Sequence, residues 1–366
     1  MRFVFYKDLM QIFGLKRNGK VVKRIWIDGS FLSNQTGIGR DARKIISDLG
    51  DSLEIKILDW PGQASHHRKL IRRLLNVTFV MTGHFFSIPD KYQGTFYQPQ
   101  LNSIIPGQGI SKWIVRLHDI FPLTNPEWFH WWAVILFRRS LQNAVKRNAI
   151  FLCSSNFTRL AMENQYPESR GRIKVYPCKV ETLTTNKCER CLGCIAARNI
   201  DNMGEYIIAV GTIEPRKNYE FLLTFWEEKI GQGLELPKLI VVGKPGWKSR
   251  RVLSKLKRGH PEKIAWLMQC CDGSLSTLYG NAQAFISASQ SEGFNLPALE
   301  ARVLFKLLLI LSDIPVHREV HGNQAHYFDN SSELFNILSN LTEASLPPSN
   351  LSREHSSDEL RKIFRT

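Results

Sequence analysis

The chain has no long apolar run. Its most apolar stretch, 303–311, is short and interrupted by Lys306, so no segment reads as a bilayer-spanning helix. The N-terminal residues, with Arg2 and Lys7, turn polar too soon for the apolar region of a signal peptide, and a cytoplasmic location is expected. Seven cysteines among 366 residues are too few for a disulfide scaffold, and an odd count fits a reducing compartment. Internal repeats and low-complexity tracts are lacking, which excludes solenoids. Acidic charge is in deficit: 33 Asp+Glu face 49 Lys+Arg, a net +16 with histidine neutral. That imbalance implies an anionic partner, which nucleic acid, a lipid surface or a phosphorylated small molecule would satisfy. Hydrophobic residues at 43% against 22% charged allow a sizeable core and exclude wholesale disorder.

Apolar β-branched runs alternate with segments of helical spacing. Strands are predicted at 24–28, 53–58, 76–81 and 113–117, with a glycine turn Thr36-Gly37-Ile38-Gly39 followed by a helix over 40–49. A second series starts at 205–211 and continues through a helix near 219–228 and strands at 238–242, 264–268, 284–287 and 307–311. Alternation of this kind favours doubly wound parallel sheets, two of them, joined near 177–204 where periodic hydrophobics are sparse. The expected division is 1–180, a linker at 181–204, 205–345, and a C-terminal tail at 346–366. Ligands of open α/β sheets bind beyond the carboxyl ends of strands, so a cleft between the two sheets is the place to seek chemistry.

The most specific segment runs from Ser289 to Ala301 and contains Glu292, Gly293, Phe294, Asn295, Leu296, Pro297 and Glu300. A strand, a glycine-bearing loop and a helix opening at Pro297 make an anion site, because unpaired backbone N–H groups point outward there. Glu300, about one turn into that helix, suits vicinal hydroxyls such as those of a ribose. Glu292 could face a second polyol from the loop. An ordinary helix start with a dipole-favoured Glu300 is the competing interpretation. Arg216 and Lys217, after a strand and before a helix, either face a diphosphate or form a solvated turn. Gly37 and Gly39 are either a tight turn or a bare-backbone approach to phosphate or sugar. His118, at a strand's carboxyl end, either bonds a sugar hydroxyl or is a satisfied structural histidine; Asp119 is expected to orient the loop.

Taken together, these segments resemble the retaining nucleotide-sugar glycosyltransferases of family four, which have the GT-B fold. The two glutamates with seven residues between them, around Gly-Phe-x-Leu-Pro, carry the likeness. It extends over Val210 to Asn218, Leu117 to Pro122, and Asp313 to Val320. The resemblance implies a GT-B architecture of two Rossmann-like domains and transfer of a hexose with retention, without a divalent metal. It places Arg216 and Lys217 on the diphosphate, Glu292 and His118 on the transferred sugar, and Glu300 on the ribose. Gly37, Gly39, Gly211, Phe294, Asn295 and Leu296 become donor-binding positions. The pattern looks most like bacterial mannosyltransferases of O-antigen and other surface glycans. That implies GDP-mannose as donor and a lipid-linked oligosaccharide or surface polysaccharide as acceptor. A non-catalytic assembly protein on the same scaffold is the alternative. Two departures stand out: Asn295 replaces a common glycine, and 303–309 lacks the usual Gly-x-Pro turn, so a reshaped helix-to-strand junction is expected.

Cys188, Cys191 and Cys194, with Cys178 ten positions before the first, have spacing compatible with metal ligation, but no fourth ligand of standard spacing follows. Free thiols are the first interpretation and a structural metal clip the second. Basic residues crowd the first 24 positions, 68–73 and Arg138-Arg139, and the aromatic run Trp128-Phe129-His130-Trp131-Trp132 lies nearby. An anionic membrane surface suits that mixture, as does a solvated basic face over buried tryptophans. No nucleic-acid recognition motif is present, and nucleic acid is not expected as a partner.

Overall fold

The computed structural model describes residues 24–29, 37–50, 53–58, 78, 81–82, 85–180, 182–183, 204–260, 262–268, 270–341 and 357–365. The basic N-terminal stretch, the basic run at 68–73, and Cys188, Cys191 and Cys194 lie outside them.

Two six-stranded parallel sheets form the frame. The first unit contains β1 (Arg24–Asp28), β2 (Glu54–Leu58), β3 (Phe86–Ser87), β4 (Gly94–Gln98), β5 (Ile104–Ile105), β6 (Ile110–Leu117), β7 (Ile150–Cys153) and β8 (Ile173–Val175). Its main sheet has the order β2-β1-β4-β6-β7-β8, while β3 and β5 pair separately. The second sheet contains β9 (Tyr206–Val210), β10 (Lys238–Val242), β11 (Ile264–Leu267), β12 (Ala284–Ser287), β13 (Leu308–Ser312) and β14 (His326–Phe328), ordered β11-β10-β9-β12-β13-β14. Read in chain order this is the 3-2-1-4-5-6 arrangement, whose direction reverses between β9 and β12.

The strands of the second sheet read as continuous apolar runs because both faces are covered. Ile207 and Ala209 pack on one face with Leu222 and Trp226 of the helix Tyr219–Gly231. Tyr206 and Ile208 pack on the other with Leu278, Ala298 and Ala301. The stretch expected as a C-terminal tail contains the helix Ser357–Arg365, which lies on the first sheet. Leu360 and Phe364, one turn apart, join Ile25 and Ile45 there, and Phe364 meets Tyr97 edge-on at 5.4 Å.

Two expectations need correction. Thr78, Met81 and Thr82 are helical, not part of a strand over 76–81; the place beside β1 belongs to Gly94–Gln98. Gly37 and Gly39 do not form a turn, since the helix Gly37–Leu49 already includes them. At the junction after the helix Leu296–Phe305, where the usual turn residues are missing, the helix still ends in a regular cap. Lys306 adopts the left-handed conformation, φ 55°, that glycine usually takes at a helix end. The Lys306 N–H closes onto the Arg302 carbonyl at 3.1 Å, the bond of a left-handed helix cap. A side chain in that conformation costs about 1 kcal/mol. Lys306→Gly is therefore expected to stabilise the protein by about that amount, seen as a rise in Tm. An unchanged or lowered Tm would contradict the strain.

Candidate active site between the two sheets

Four segments converge where the second sheet reverses direction. After β9, Gly211 leads to the turn Pro215–Lys217; after β12, the loop 288–294 leads to the helix Leu296–Phe305. Opposite them stand His118 and Asp119 after β6, and Ser154 after β7. The facing surfaces are in contact. A Cβ on Gly293 would sit 1.9 Å from the His118 carbonyl oxygen, so only glycine permits this approach. Ser154 Oγ lies 2.8 Å from the His118 carbonyl and 2.9 Å from that of Gly293. Gly37 faces Leu296, to which a Cβ would come within 3.7 Å.

Glu292 is the centre of charge. Its carboxylate, 2% exposed, accepts from Lys217 Nζ at 2.5 Å, Ser289 Oγ at 2.7 Å and the Arg216 guanidinium. Burial alone would raise its pKa, but Arg216 and Lys217 outweigh that and hold it down to about 2. Arg216 also reaches Glu214 at 2.7 Å, and its guanidinium lies over the Phe121 ring. Burial pushes the Glu214 and Asp119 carboxyls up, with Arg216 opposing it in both. Lys217 lies along Gly211, where a Cβ would stand 3.3 Å from Lys217 Cε. The result is a pair of cations held rigidly by carboxylates at the mouth of a helix.

A buried polar chain supports Glu292 from behind. His317 Nδ1 lies 2.8 Å from the Ser312 carbonyl, so it must donate and leave Nε2 to accept from Asn295 Nδ2, also at 2.8 Å. Burial lowers the His317 pKa, which keeps the ring neutral. Asn295 Nδ2 also donates to Ser287 Oγ at 3.2 Å, and Ser287 Oγ lies 3.0 Å from Ser289 Oγ. With the Ser289 proton on Glu292, Ser287 is the donor in that last contact. Asn295 takes φ 67° ahead of the helix, a conformation asparagine tolerates. Its Oδ1 is buried without a hydrogen-bond partner among the described residues, as is His118 Nε2.

The remaining predicted positions are also placed. Glu300 is buried and accepts from Arg40 Nη1 at 2.6 Å, while Arg40 Nη2 reaches Asp272 at 2.6 Å. This bridge joins helices of the two sheets, and no local pattern around Arg40 points to it. Phe294 and Leu296 pack with Cys178 and Leu299 in an apolar cluster. Asp119 Oδ1 accepts from the Phe121 N–H at 3.2 Å, orienting the loop as expected. Burial lowers His118 to about 4 despite Asp41, whose carboxylate is 3.9 Å away. Beside this histidine, a cavity of about 110 Å³ is lined by Asp119, Phe121, Thr124, Asn125, Phe157 and Ser291.

Asp41, His118 and Cys178 place donor atoms within 4.8 Å of one another, the spacing a metal ion needs. The Arg116 guanidinium occupies both oxygens of Asp41, at 2.7 and 3.1 Å, and approaches Cys178 Sγ at 3.3 Å. A fixed positive charge in that position opposes a cation.

Two doubly wound sheets whose strand ends face one another define the GT-B class of glycosyltransferase folds. Residues 195–333 match the family described as Glycosyl transferases group 1. The Serotype-specific mannosyltransferase WbdA of Escherichia coli is 32% identical over 230 residues, which are 58% of this chain and 27% of that protein. The chain thus spans about a quarter of the length of that relative. The O-antigen chain mannosyltransferase B of Escherichia coli is 26% identical over 73% of this chain and 76% of its own length. Among solved structures, Anabaena Alr3699/HepE in complex with UDP and glucose superposes with a TM-score of 0.58 at 15% identity, covering 94% of each chain. No helix among the described residues is long and apolar enough to cross a membrane.

Proposed function

We propose that the protein transfers a mannosyl residue from GDP-mannose, with retention of configuration, to a lipid-linked oligosaccharide or surface-polysaccharide acceptor. The buried Arg216–Lys217–Glu292 cluster at the sheet's reversal point carries this reading, and the relatives' names as mannosyltransferases favour the sugar. Arg216 and Lys217 bind the diphosphate and stabilise the charge that develops as the anomeric C–O bond breaks. Backbone N–H groups around Phe294, Asn295 and Leu296 add to that field, and Gly211, Gly37 and Gly39 admit the donor closely. Glu292 and His118 contact the transferred sugar; the neutral His118 Nε2 is matched to a hydroxyl. Glu300 takes the ribose hydroxyls in place of Arg40. The acceptor oxygen bonds to the anomeric carbon on the face the phosphate leaves, and its proton passes to that phosphate. No side-chain nucleophile and no divalent metal is needed. The enzyme works at the inner face of the cell membrane, where carrier-linked glycans are assembled.

A panel of nucleotide sugars, assayed for hydrolysis and transfer, tests this. GDP-mannose is expected to be turned over fastest, with chelator present, and to give a product with the donor's anomeric configuration. Absence of binding to any nucleotide sugar would show a non-catalytic scaffold protein instead.

A further inference from the structure

The fold divides the aromatic run at 128–132. The Trp128 carbonyl accepts from Trp247 Nε1 at 2.8 Å, and the Phe129 ring stacks on Trp247 with centroids 5.5 Å apart. These two residues serve the contact between the halves of the molecule. Trp131 and Trp132 do not: they open the helix Trp131–Lys146 and are 67% and 45% exposed. So large an apolar surface held in water on the first turn of a helix is unfavourable unless something covers it.

The helix's 16 residues contain no Asp or Glu. Ser140, Leu141, Ala144 and Val145 form its buried face. At 100° per residue, Trp132, Ile135, Arg139, Gln142 and Lys146 fall on the outward stripe, with Trp131 and Arg138 at one edge of it. All of these are exposed except the half-buried Ile135. Aromatic rings at one end and cations along the rest are the composition that settles into the headgroup layer of an anionic bilayer. The opposite end of the preceding chain leads to the site: the turn of helix Phe121–Thr124 packs against this helix and lines the cavity beside Ser291.

We infer that the outward stripe of the helix Trp131–Lys146 docks on an anionic membrane surface. Trp131 and Trp132 enter the headgroup region, and Arg138, Arg139 and Lys146 meet lipid phosphates. The cavity between Phe121 and Ser291 is thereby held at the bilayer, within reach of a sugar on a lipid carrier. This inference rests on the proposed acceptor class but concerns a different surface from the donor site.

Co-sedimentation with phosphatidylcholine vesicles, with and without phosphatidylglycerol, tests it on the full chain. Wild type is expected to bind the phosphatidylglycerol vesicles and to be released by salt. Arg138→Gln/Arg139→Gln is expected to weaken partitioning about twenty-five-fold, at about fivefold for each cation near the surface. Trp131→Ser/Trp132→Ser is expected to weaken binding by at least tenfold while leaving its salt dependence in place. Circular dichroism and GDP binding verify that both variants are folded. Wild type that ignores phosphatidylglycerol vesicles, or folded variants that bind them as wild type does, would overturn the inference. Vesicle binding without turnover of any donor would reject the glycosyl-transfer reading alone; turnover without vesicle binding would reject the docking face alone.

Discussion

Lys217→Ala is expected to lower kcat by about two to three orders of magnitude, with a much smaller change in KM for the donor. The ammonium is buried and fixed on Glu292 Oε1 at 2.5 Å before any substrate arrives, so its orientation costs nothing when charge moves onto the leaving phosphate. Such a group acts mainly in the transition state, and its loss appears in kcat. Glu292→Gln should give a loss of similar size by a different route. It keeps the shape and the contact with Ser289 but no longer holds Arg216 and Lys217 in place. Because the residues act as one unit, the double variant should be little worse than either single one. Single-turnover rates on GDP-mannose, alongside thermal melts to show that the fold persists, would measure the cycle. Undiminished turnover in both variants would place the chemistry elsewhere.

The second sheet was legible in the sequence because its strands are buried on both faces. Tyr206–Val210, Lys238–Val242 and Leu308–Ser312 read as apolar runs with nothing else to compete for them. The first sheet was harder. Gly94–Gln98 carries a glycine, a threonine and a glutamine, yet Thr95 and Gln98 are buried; Gln98 Nε2 is satisfied by Asn102 at 2.6 Å. Composition alone could not show that such a polar strand lies inside. The glutamate loop and the Arg216-Lys217 turn stood out because their chemistry is local, carried by neighbouring residues. The bridge from Arg40 to Glu300 spans 260 positions, and the chain from His317 to Glu292 depends on how the stretch 287–295 meets the stretch 312–317. His317 lies in a recognisable segment, but only the paired bonds of its two ring nitrogens reveal what it does. One signal was available and unused: Arg116 interrupts an apolar strand, and a charge buried there demands a partner.

That partner is Asp41, and breaking the pair carries the largest stability effect expected in the molecule. The Arg116 guanidinium is fully buried. Nε and Nη2 hold the Asp41 carboxylate, while Nη1 donates to the Tyr176 carbonyl at 2.6 Å and lies within reach of those of Leu152 and Cys153. One side chain therefore ties the helix Gly37–Leu49 to the ends of β7 and β8. Burial alone would raise the Asp41 pKa, but Arg116 outweighs it and keeps the carboxylate ionised. Arg116→Met is expected to cost about 3–5 kcal/mol, because it leaves a buried carboxylate without its charged partner and takes a donor from the Tyr176 and Leu152 carbonyls, while that of Cys153 keeps the Tyr176 N–H at 2.9 Å. Asp41→Leu should cost a similar amount by stranding the guanidinium. Combining the two removes both charges and should recover part of the loss, leaving a deficit of about 1–3 kcal/mol from the unsatisfied carbonyls. Urea unfolding of the three variants separates the effects. Additive losses in the double variant would mean that the pair does not act as a pair. Full recovery would mean that the carbonyls find other donors, and that charge neutralisation alone is what Arg116 provides.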